Sequence, residues 1–92
     1  MDYSNQDLQD HDFSGQNLEG ANFSSAILID ADLRDARLSG ANLEGAKLFD
    51  ANLEGANLTK ANLKNAILRD VILTDAILIE ANLEGANLMD AN

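Results

Sequence analysis

The chain has no cysteine, no proline and no tryptophan, and only 6 lysines and arginines against 16 acidic residues. Without cysteine there is no disulfide framework, no thiolate metal site and no thiol nucleophile. A formal net charge of −10 argues against direct binding to DNA, RNA or anionic lipid, because phosphate contacts need clustered Lys or Arg. It permits a basic partner, and it also serves plain solubility. Apolar runs are short, Ala26-Ile27-Leu28-Ile29 being among the longest, far below the length of a membrane span. The first residues, Met1 to Asp7, are polar and acidic and lack the basic and apolar regions of a secretory signal. These absences lead to the expectation of a cytoplasmic protein with no membrane contact.

What is present is a period of five. Every alanine lies at a position of the form 5n+1, every leucine at 5n+3 and every glycine at a multiple of 5. The unit repeats eighteen times from Met1, and Ala91-Asn92 open a nineteenth. Alanine precedes the central residue by two positions from Ala21 to Ala91, with Val71 the one exception, and Asn or Asp commonly stands between them. A period of five drifts around a 3.6-residue helix and changes face along a period-two strand. A short extended step followed by a turn accommodates it. The centre and the alanine two before it then point inward together. Glycine in the fifth place suits the third residue of a type II turn, where φ is positive. Four steps with corners close a coil of twenty residues, and alanine is the size that fits beside leucine on a narrow axis. Stacked units bury their faces on one another, which lets a 92-residue chain form a single domain, residues 1–92.

Ala41-Asn42-Leu43-Glu44-Gly45, Ala51-Asn52-Leu53-Glu54-Gly55 and Ala81-Asn82-Leu83-Glu84-Gly85 resemble the A-(N/D)-L-x-x motif of the pentapeptide-repeat family, and the resemblance covers the whole chain. It implies an all-β fold, a right-handed quadrilateral β-helix. At twenty residues per coil the 92 residues give about 4.6 coils and a rod of roughly 22 Å. The resemblance also implies dimers joined at C-terminal ends. Family members often carry a terminal helix or extension there, a feature this sequence does not show.

The first coil breaks the alanine rule with Met1, Gln6, His11 and Gln16, as a polar end cap would. His11 has no converging partners for catalysis or metal binding. At the other end, Leu83, Ala86, Leu88 and Ala91 would form an apolar edge that needs a cover. The expected cover is an end-to-end second copy or a continuing pentapeptide-repeat chain.

Residues twenty apart should stack. Asp10, Asp30, Asp50, Asp70 and Asp90 then form the one column of a single ionisable type. Two readings compete: Asp as a turn residue, with this corner using a different turn from those at Gly40, Gly45, Gly55 and Gly85, or a row of carboxylates imitating DNA phosphate. Beside that column, Ile27, Ile29, Phe49, Ile67 and Met89 form an apolar strip, either a contact site or plain β-propensity. Neither feature offers converging ligands or a concave site, so no enzyme, no cofactor and no metal are expected. A non-catalytic structural or protein-interaction module is the leading reading. The alternative is an acidic DNA mimic binding DNA gyrase or topoisomerase, a role the family resemblance suggests.

Overall fold

The computed structural model describes residues 1–92 and shows one device repeated. At every unit the central carbonyl accepts a hydrogen bond from the first N–H of the next unit, at 2.9–3.3 Å, from Gln6 N–Tyr3 O to Ala91 N–Leu88 O. The fifth residue of every unit from Asn5 to Asp90 has φ between 56 and 70°. An i to i+3 bond with positive φ at the third turn residue is the type II arrangement, which the glycine positions predicted.

The expectation of a separate turn at the aspartate corner is corrected here. Asp10, Asp30, Asp50, Asp70 and Asp90 hold φ of 57–64°, and the glycines hold 67–70°. All occupy the left-handed region. Asn and Asp enter that region more readily than other non-glycine residues, and they supply nine of the twelve non-glycine cases. The cause is conformational tolerance, since no hydrogen bond to backbone is made by these carboxylates.

Between turns, each unit contributes one residue to a parallel bridge, and each bridge joins residues twenty apart, from Asp2–Asn22 to Ile67–Asn87. Three backbone bonds per unit hold this register. Leu48 N donates to Ile67 O at 2.8 Å, Asp50 N to Arg69 O at 3.1 Å, and Ile67 N to Ala46 O at 2.9 Å. The result is a β-helical solenoid built from single-residue bridges. Inside lie the centres and alanines: 23 residues from Phe13 to Val71 form one apolar core, and no polar residue is buried. Near the N-terminus three aromatic centres replace leucine. Tyr3 stacks on Phe23 at 4.8 Å, and Phe13 meets both edge-on at 5.4 and 5.5 Å.

The first coil shows how its edge is closed. In later coils a second-position carbonyl accepts from the coil below, as Asn22 O does from Tyr3 N. In the first coil the Gln6 amide donates to Asp2 O at 3.4 Å and the Gln16 amide to Asp12 O at 3.3 Å. The two glutamines stand in for missing backbone donors. Met1, Gln6, His11 and Gln16 are all exposed.

Within the stacked coils the fourth N–H has no backbone acceptor. Wherever the second residue is Asn or Asp, its Oδ1 accepts that N–H, as Asn52 does from Glu54 at 3.0 Å and Asn82 from Glu84 at 3.0 Å. This bond explains the Asn or Asp of the motif: it satisfies the one donor that the solenoid orphans. Asn52→Ala should therefore lower stability by about 1 kcal/mol. Ile77→Asn should raise it by a similar amount, because Ile77 leaves Ile79 N uncapped. Equilibrium denaturation of the two variants against the parent checks both signs.

Candidate interaction surfaces

The four outward sides differ in chemistry because residues twenty apart stack. One side carries Asn22, Asn42, Asn62 and Asn82, all capping, with Asn62 Nδ2 also donating to Asn42 Oδ1 at 3.3 Å. It is uniformly polar. The next side carries the apolar strip. Its bridge partners run Asp7, Ile27, Lys47, Ile67 and Asn87, so three consecutive second positions have abandoned the capping residue. The fourth-position N–H groups of Ile29, Phe49 and Arg69 consequently have no acceptor within the chain.

The structure brings Ile27, Lys47 and Ile67 into one column and places Ile29, Phe49, Arg69 and Met89 in the equivalent fourth positions beside it. Ile27, Ile29, Phe49 and Ile67 are half-buried, and Met89 is 53% exposed. The strip is thus a shallow apolar surface, partly covered by its own neighbours. Apart from Met1 at 63%, the strongly exposed apolar residues lie toward the C-terminal coil: Ile79 at 63%, Ile77 at 42% and Leu88 at 40%. Leu83, Ala86 and Ala91, expected at an apolar edge, are half-buried against the core.

The aspartate column runs along the corner bordering the strip, with all five carboxylates exposed. Arg69 Nε approaches Asp70 at 3.9 Å, an exposed pair that contributes little to stability. The surface has no pocket, and no three His, Asp or Glu side chains converge. His11 lies on the Phe13 ring at 4.3 Å, a packing contact.

Sequence reasoning noticed the Asn and Asp before each centre without seeing their bond. It therefore missed that the strip lies where the bond is lost. The signal was the run of Ile27, Lys47 and Ile67 at positions usually held by Asn or Asp.

Titratable caps concentrate in the first coil: Asp2, Asp7 and Asp12, followed by Asp32. The hydrogen bonds that Ser4 and Ser14 make to Asp2 and Asp12 hold those carboxyls below the ordinary value of 3.8. Asp32 is lowered first by its side-chain hydrogen bond with Arg34, whose guanidinium donates from Nε at 2.9 Å and from Nη2 at 2.6 Å. A carboxyl depressed on folding supports stability above its unfolded pKa, and that support is lost as pH falls through the folded value. Acidification below about pH 4 should therefore loosen the N-terminal coil first. Asp12→Asn keeps the cap and should reduce the acid loss. Amide exchange followed from neutral to acid pH reads the effect at Ser14.

A family model for Pentapeptide repeats matches in 8 copies, over residues 4–35, 26–65, 36–75 and 56–92. No curated protein matches. Among solved structures, a pentapeptide repeat protein from the Arabidopsis thaliana thylakoid lumen is similar at 33% identity and TM-score 0.80, over 98% of this chain and 66% of that one. HetL, a pentapeptide repeat protein involved in heterocyst differentiation regulation in the cyanobacterium Nostoc sp. strain PCC 7120, is similar at 38% identity and TM-score 0.54, over 99% of this chain and 46% of that one. The chain thus spans just under two-thirds of the length of the first relative and under half of the second. The repeat pattern, the bridges at twenty residues and these matches together establish that the chain belongs to the pentapeptide-repeat family.

Proposed function

We propose that this chain is a non-catalytic structural and protein-interaction module, and that its contact surface is the side built from Ile27, Ile29, Phe49, Ile67 and Met89. The observation that carries the reading is the loss of three consecutive capping residues on that side alone. A cap contributes about 1 kcal/mol, and a column of swaps that gives it up repeatedly needs a compensating use. The residues that replace the caps are Ile, Lys and Ile, which extend a surface rather than serve the turn. Departures from a local rule of this kind concentrate at functional sites.

We further infer a right-handed quadrilateral β-helix of about 4.6 coils, the handedness following from the family resemblance. Leu83, Ala86, Leu88 and Ala91 would be covered by a further layer, supplied by a second copy end to end or by a continuing pentapeptide-repeat chain. The cytoplasm remains the compartment that composition suggests, although one similar protein comes from a thylakoid lumen.

A second reading, the acidic DNA mimic binding gyrase or topoisomerase, rests on the unbroken aspartate column. Left-handed turn geometry already accounts for those residues. Lys47 and Arg69 on the adjoining side also interrupt the anionic surface.

Salt and mutation separate the two readings. With the chain as bait in an extract of its source, the interaction reading expects a partner that persists at high salt. That partner should be lost with the double change Ile27→Glu and Phe49→Glu, and weakened but not lost when Asp30, Asp50 and Asp70 are changed to Asn, a residue that Asn65 shows is accepted at φ 59°. Screening weakens mimicry steeply. A partner that disappears with salt and with the aspartate changes, together with salt-sensitive inhibition of gyrase supercoiling, would replace this reading with the mimic.

A further inference from the structure

The apolar side has two unlike borders. Along one corner stand Asn5, Ser25, Gly45, Asn65 and Gly85, all uncharged, and along the other stand the five aspartates. A partner seated on the strip therefore meets one carboxylate per coil at one corner and none at the other, with the exposed Lys47 and Arg69 standing among the apolar residues between them. That pattern constrains the partner's own periodicity.

Coils repeat at sheet spacing, about 4.7–4.9 Å. An α-helix lying along the rod axis brings side chains of one flank past the corner once per turn, about every 5.4 Å. Over the four steps from Asp10 to Asp90 the two ladders part by only about 2–3 Å. Flexible Lys or Arg side chains span that difference. An extended strand along the same axis presents one face every second residue, about 6.6–6.8 Å apart. It loses a full coil of register within three steps. Apart from Lys47 and Arg69 the strip is apolar, and it is shallow with Phe49 at its middle, which suits the apolar stripe of a helix better than interdigitation with a second sheet.

We propose that this side of the solenoid receives an amphipathic α-helix of a partner protein, laid along the rod axis, with its apolar stripe on Ile27, Ile29, Phe49 and Ile67 and a basic flank against Asp30, Asp50 and Asp70. The inference rests on the reading of this side as the contact surface and adds the shape and charge of the occupant. The full column from Asp10 to Asp90 accommodates a helix of about 13 residues, of which about 7 would lie against the coils from Ile27 to Asp70.

Three 18-residue peptides test it by fluorescence anisotropy and by amide chemical-shift mapping on the full chain. The first has leucines at helical spacing with a lysine flank. The second has the same composition with leucine and lysine alternating as in a strand. The third is the helical peptide with glutamate in place of lysine. The expected result is binding of the first peptide, with shifts at Ile29, Phe49 and Arg69 and at least about tenfold weaker binding of the other two. Phe49→Glu should cost the first peptide a further tenfold or so. The triple change of Asp30, Asp50 and Asp70 to Asn should do likewise, since Asn keeps the left-handed turn, as Asn65 does at φ 59°.

Equal binding of the alternating peptide, still dependent on Phe49, would overturn the helix and leave the contact surface standing. Binding independent of Phe49, shifts on another side, or no binding at millimolar peptide would overturn both. Thermal unfolding of each variant separates a lost site from a lost fold.

Discussion

Everything in this molecule follows from a left-handed residue at every fifth position. One positive φ per unit turns the chain through a corner, and the bond from the central carbonyl to the next unit's first N–H locks it. With four such corners between bridged residues, the register can only be twenty. That register then aligns like positions along the rod. Leucine stacks on leucine and alanine on alanine, so a 92-residue chain builds a continuous core of 23 buried residues without any long strand. The same constraint decides where charge and apolar surface gather, since each outward column samples every twentieth residue.

The turn also creates a debt in hydrogen bonding. It leaves the fourth N–H of each unit without a backbone partner, and an Asn or Asp two residues earlier supplies one. One side stands out against that background. On no other side are caps lost in successive coils. On that one side, Ile27, Lys47 and Ile67 displace them in succession, and Phe49 sits at the centre of the resulting surface. The bordering aspartates owe their place to turn geometry, but their charge still acts on whatever approaches. One column can serve both the fold and the choice of partner.

Much of this could be read from the sequence because a strict period leaves few solutions. The inward pairing of Ala46 with Leu48, the turn at Gly45 and the stacking of Asp30 on Asp50 all follow from counting. Four features did not, each for a physical reason. The shared turn of aspartate and glycine was hidden because composition suggests two residue classes, whereas the backbone sees one conformation. The capping bond was hidden because its need appears only when every N–H is assigned a partner. The glutamine closure of the first coil depends on side-chain amides at 3.3–3.4 Å from their own chain, which no spacing rule specifies. The half-burial of Ile27 and Phe49 likewise depends on how neighbouring coils lean over an outward residue.

The central claim is that the left-handed fifth residue holds the solenoid. Equilibrium unfolding of Asp50→Gly and Asp50→Val, at a mid-rod turn with φ 59°, tests it most directly. Glycine reaches this conformation freely and also removes a like charge from the column, so its stability should match or exceed that of the parent. Valine is β-branched and should lose about 1–2 kcal/mol or more. A valine variant as stable as the glycine variant would contradict the account, because the corner would then not depend on left-handed backbone.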